Sequence, residues 1–107
     1  MEKPNTTYID QLSGDDSSFR NKFINLLKSE LILEIDKYKK AFLNKDYSNA
    51  SEHVHRLKHK ISVLGLEKGY TIALAYENEL KEKKDPFSNQ KKFDDVLTQM
   101  VEFLKCL

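Results

Sequence analysis

Apolar residues recur at steps of three and four along four stretches of this chain, and that spacing predicts helices. Phe19, Phe23, Leu27, Leu31, Ile35, Tyr38 and Phe42 make the first and longest face, which ends at LNKD. Asp15 or Asp16 stands ahead of it, where a carboxylate can accept the free N–H groups of a first turn. Asp46 is the next cap, followed by Ala50, Val54, Leu57, Ile61 and Leu64. Gly65 stops that helix, as glycine does where the chain must turn left-handed. A further helix runs from about Glu67 to Lys83 with Ile72, Ala73, Tyr76 and Leu80 inward; its Gly69 marks a weak point or a close approach. KKDPFSN breaks the pattern, with Pro86 as punctuation and Ser88 as a cap. Phe93, Val96, Leu97, Met100, Leu104 and Leu107 line the last helix.

Ahead of these, MEKPNTT is polar and reads as frayed, and YIDQL reads as a short helix ended by Ser13 and Gly14. Nothing alternates with period two, so no strand is expected. Four amphipathic helices joined by short turns can hide their faces only against one another. The expected fold is all-α: an antiparallel, up-down-up-down four-helix bundle with a short extra N-terminal helix, one domain over residues 1–107.

Composition narrows the function. Eighteen basic and seventeen acidic residues leave a net charge of +1, which gives no electrostatic footprint for nucleic acid. No apolar run approaches the roughly 20 residues of a membrane span, and residues 1 to 15 carry no signal-peptide core. The single cysteine, Cys106, cannot form an internal disulfide and reads as a bystander in a reducing cytoplasm.

All three histidines fall within HVHRLKHK, residues 53 to 60. At about 100° per residue, His55 lies one step off the core stripe of its helix. Lys58, His59 and Ser62 stack over it, with Ser51 one turn before. His53 lies about 200° from His55, reads as a solvated polar residue and cannot share a small site with it. The stripe Ser51–His55–Lys58–His59–Ser62 is rich in donors and holds no carboxylate, so it is poised for an anion such as a phosphoryl group.

HRLKHKISVLGL resembles the core motif of histidine-containing phosphotransfer (HPt) domains, roughly H-x-L-K-G-S-x-x-x-L-G. His55, Leu57, Lys58, Leu64 and Gly65 fall on it at matching intervals, and the likeness extends over nearly the whole chain, through YIDQLSGDDSSF, LNKDY and YENEL. The resemblance implies a phosphorelay intermediate. His55 would accept a phosphoryl group from an aspartyl phosphate of a receiver domain and pass it to a second receiver. Lys58 would sit beside the phosphoryl oxygens, and Glu77, one helix over, matches a position that contacts the site. Tyr8, Ile9 and Leu12 of the short helix would help form the receiver-docking surface, together with Ser51, Arg56 and Ser62. The expected partners are the receiver domains of a hybrid histidine kinase and of a response regulator. Mg²⁺ would come from the receiver, and the chain would be a cytoplasmic monomer without an ATP site, a cofactor, or a nucleic-acid or membrane partner. Its length and initiator Met1 suit a free-standing carrier.

The chain departs from the family at two positions. His59 stands where the family keeps glycine, and Lys60 replaces the small residue after it. His59 is expected to hydrogen-bond the phosphoryl group or to select a particular receiver. Three other readings compete. His55 and His59 at i,i+4 could chelate a metal, but Lys58 lies between them on that stripe and a third ligand would have to come from elsewhere, such as Glu77. A sensor-kinase dimerisation helix usually has an acidic residue after its histidine and a proline nearby, whereas Arg56 follows here and no proline lies between Pro4 and Pro86. A helical receiver-binding module that has lost phosphotransfer is the third.

Overall fold

A computed structural model describes residues 2–107. Five helices follow one another: α1 (Thr7–Ser13), α2 (Ser17–Leu43), α3 (Tyr47–Val63), α4 (Glu67–Glu82) and α5 (Gln90–Lys105). No strand occurs among the described residues. Three-residue turns join α2 to α3 and α3 to α4, so the chain reverses at each. In the resulting bundle α3 packs on α2 and α4, and α5 packs on both α4 and α2. No helix among the described residues is long and apolar enough to cross a membrane.

The turns form where the sequence supplies their chemistry. Asp16, rather than Asp15, caps α2 by accepting from the Phe19 N–H at 2.9 Å, and Asp46 caps α3 by accepting from the Asn49 N–H at 3.3 Å. Gly65 ends the α3 turn at φ +75°, and a Cβ there would meet the Asn5 side chain at 2.5 Å. Gly69 is a close approach: a Cβ would lie 3.1 Å from Ile61 Cγ2 and 3.2 Å from Val96 Cγ1.

The α3 stripe of Ala50, Val54, Leu57, Ile61 and Leu64 is fully buried. Burying each of its larger side chains stabilises the fold by about 1.5–3 kcal/mol. This fixes the rotation of α3, and with it the direction of every polar residue beside the stripe. Around Tyr38, Tyr76 and Phe93 the core is aromatic; the two tyrosine hydroxyls bond to each other at 2.6 Å, and Tyr38 donates to Asp94 at 3.3 Å.

Four expectations are corrected. The N-terminal segment is not frayed over its described part: Glu2 accepts from the Lys68 and Gly69 N–H groups at 2.8 and 3.0 Å, and the Asn5 N–H donates to the Leu64 carbonyl at 2.9 Å. A carboxylate thus satisfies the first turn of α4, whose own N-cap, Leu66, has no side chain able to do so. Ser88 does not cap α5; its N–H and hydroxyl donate to Glu79, which also accepts from the Asn89 N–H. Leu107 lies beyond the end of α5 and is 44% exposed. Phe19, in the first turn of α2, is also exposed.

Candidate functional site

The site is built across α3 and α4. His55 projects from the edge of the α3 core stripe with its side chain 50% exposed, and its Nδ1 lies 3.1 Å from Glu77 Oε2. Glu77 is one step beyond the buried Tyr76 on α4, and its side chain is 4% exposed. Three partners surround this carboxylate. Lys58 Nζ donates to Oε1 at 2.9 Å, while Lys81 Nζ lies 3.0 Å from Oε2 beside His55. The Lys58 ammonium also sits 5.5 Å from the centroid of the Tyr70 ring, a cation–π contact.

Burial alone would push the Glu77 carboxyl up, but the hydrogen bonds and charges of Lys58 and Lys81 outweigh it and hold the carboxyl below its ordinary range. Glu77 is therefore ionised and can only accept. Whenever its ring is neutral, His55 then carries its proton on Nδ1, which leaves the Nε2 lone pair free. His59, one turn on, brings its own Nε2 to 3.4 Å from His55 Nε2, with the two rings perpendicular. With His55 neutral and protonated on Nδ1, His59 Nε2–H can donate to His55 Nε2 across that contact.

The polar stripe of α3 is not one open face. Ser51 and Lys58, seven residues apart, share the edge that α4 covers and are 2% and 5% exposed. The Ser51 hydroxyl donates to the Ser48 carbonyl at 2.6 Å. Ser51 therefore offers nothing to a docking partner, which corrects its expected role. Lys58, expected beside the phosphoryl oxygens, reaches His55 only by way of Glu77, because its ammonium is turned inward. His55, His59 and Ser62 form the exposed part of the stripe.

His53 does point away from His55, but it is not a solvated bystander. It is buried against α2, where its Nδ1 pairs with Glu34, and Arg56 flanks the same carboxylate at 3.9 Å. Arg56 is half exposed, on the α2 side of His55. On α1 the predicted docking trio divides. Tyr8 and Leu12 are exposed, whereas Ile9 is fully buried as the apolar anchor of the short helix. A seven-residue helix needs such an anchor to hold its place, so Ile9 presents no surface.

Lys81, Tyr70 and Glu34 escaped the sequence reading. Lys81 was the most accessible of these, because it follows Glu77 at the i,i+4 spacing that pairs charges on a helix. Glu77 cannot serve as a third metal ligand in this arrangement, since both of its oxygens already hold partners. Among the described residues no group of three or more potential metal ligands gathers anywhere. A scan against protein-family models, a search of curated proteins and a search of solved structures each returned no match to this chain.

Proposed function

We propose that this chain is a phosphorelay intermediate whose His55 carries a phosphoryl group between receiver domains. The observation that supports it is a half-exposed imidazole held at Nδ1 by a buried, ionised carboxylate, with Nε2 outward. The resemblance of HRLKHKISVLGL to the HPt motif supports the same residue.

The chemistry asks little of this surface. His55 Nε2 attacks the phosphorus of an aspartyl phosphate; the N–P bond forms as the bond to the aspartate oxygen breaks, and the aspartate leaves as a carboxylate. The proton on Nδ1 stays in place, and Glu77 stabilises the positive charge that the ring gains. Attack by a second receiver's aspartate reverses these bonds. In-line placement and charge neutralisation are the main needs of phosphoryl transfer, and the receiver would bring Mg²⁺ and the acidic pocket. Lys81, half exposed beside Glu77, supplies a cation on the solvent side. Exposed Tyr8, Leu12, Arg56 and Ser62 belong to the proposed docking surface.

Phosphotransfer profiling against a panel of receivers tests this reading, with His55→Gln as control. The carrier reading expects rapid, reversible exchange with at least one receiver and no label from ATP. One observation favours a second reading, a receiver-binding module without transfer: His59 Nε2 lies 3.4 Å from the His55 Nε2 that would have to attack. That reading expects receiver binding insensitive to His55→Gln and no acid-labile phosphate on the protein.

A further inference from the structure

We infer that His55 and His59 form a two-histidine site for a borderline-soft divalent metal ion such as Zn²⁺, bound through the two Nε2 atoms. The Nε2 atoms are 3.4 Å apart. Two Zn–N bonds of about 2.05 Å at the tetrahedral angle require a separation of about 3.3 Å, so the spacing suits one shared ion once the rings turn to bring both lone pairs onto it. The objection that Lys58 stands between the histidines is removed by its position: its ammonium is buried against Glu77 and Tyr70.

A second observation points the same way. A histidine that ligates a metal commonly donates its other ring N–H to a carboxylate, which fixes the tautomer and raises the basicity of the ligating nitrogen. His55 has that arrangement, with Nδ1 at Glu77 and Nε2 outward. Lys58 and Lys81 approach the Nδ1 side through the same carboxylate, away from the ligating atom. His59 shifts its single proton from Nε2 to Nδ1 by exchange with solvent when the metal enters, so the ring binds as a neutral imidazole. Water or an anion fills the remaining positions, and the positive surroundings favour an anion there.

The metal takes the lone pair that phosphoryl transfer uses, so Zn²⁺ would hold the carrier in a form unable to accept. This consequence rests on the phosphocarrier reading; the binding itself does not. The pairing also gives His59 a role that glycine at this position could not fill.

Calorimetric titration of ZnCl₂ into the full chain tests the site, in a Cys106→Ser background because that thiol is exposed and could bind zinc by itself. One saturable site is expected, weakened by more than about tenfold in His55→Gln and separately in His59→Gln. Lys92→Ala, exposed on α5, should bind as the parent does. ¹⁵N shifts should place the metal on Nε2 of both rings. No saturable uptake by the parent, or uptake unchanged by either histidine substitution, overturns the proposal. Because binding is read without any receiver, it can fail while phosphotransfer succeeds, and the reverse.

Discussion

His55 Nδ1 lies 3.1 Å from Glu77 Oε2, an exposed imidazole joined to an almost fully buried carboxylate on the neighbouring helix. This relationship decides which ring nitrogen faces solvent. It also makes Glu77 the hinge of the site's electrostatics, because Lys58 and Lys81 depend on the same two oxygens.

Removing Glu77 should therefore be costly. Glu77→Ala leaves the buried Lys58 ammonium unpaired and should lower unfolding free energy by about 3 kcal/mol in urea titrations. The pH dependence has a definite sign. A carboxyl held below its ordinary value of 4.5 contributes stability above that pH and loses it as pH falls through the folded value. The gap between parent and Glu77→Gln should be constant near neutrality and narrow below about pH 4.5.

Asp94 should behave in the opposite sense. Burial raises its carboxyl above the usual range, against the hydrogen bond from Tyr38. A raised acid binds its proton more tightly when folded, so stability falls as pH rises through the ordinary and then the folded value. Asp94→Asn keeps an acceptor for Tyr38 and should match or exceed the parent in thermal melts at pH 7. That advantage should disappear below pH 3.8, where the parent carboxyl is protonated in both states. A loss of stability at pH 7 would contradict the assignment.

His53 separates packing from chemistry. Its buried contact with Glu34 joins α3 to α2, and His53→Ala should cost about 1–2 kcal/mol by stranding that carboxylate. Phosphate acceptance at His55 should persist wherever the variant is folded. Loss of acceptance in folded His53→Ala would mean that the two histidines are coupled after all.

His59 should assist weakly once phosphate is present. Its exposed hydrogen bond to His55 is worth about 1 kcal/mol and gives way by rotation of the ring. The freed N–H can then donate to a phosphoryl oxygen. His59→Gly should slow transfer, in metal-free buffer, by less than about tenfold. A large gain in rate would show that the side chain obstructs the receiver instead.

The bundle could be read from the sequence because its signals are local. Asp16 and Asp46 cap the helices they precede, and the α3 stripe from Ala50 to Leu64 is buried throughout. What escaped depends on distant partners. Glu2 reaches α4 across 66 positions, and Glu34 meets His53 across 19. Helix geometry placed Ser51 and Lys58 on the His55 side of α3, but only the seating of α4 shows that they are covered. The stripe therefore looked like an open cationic face, whereas Glu77 closes part of it. Ile9 was misread for a related reason: in so short a helix, sequence cannot separate the one anchoring residue from its exposed neighbours.

Phosphate transfer to His55 is tested by exposing the full chain to an aspartyl-phosphorylated receiver and locating any phosphate by mass spectrometry and ³¹P NMR. An acid-labile, base-stable phosphate is expected on Nε2 of His55, with none on a folded His55→Gln variant. Equal labelling of His55→Gln, or receivers that bind the parent chain yet never transfer phosphate to it, would contradict it.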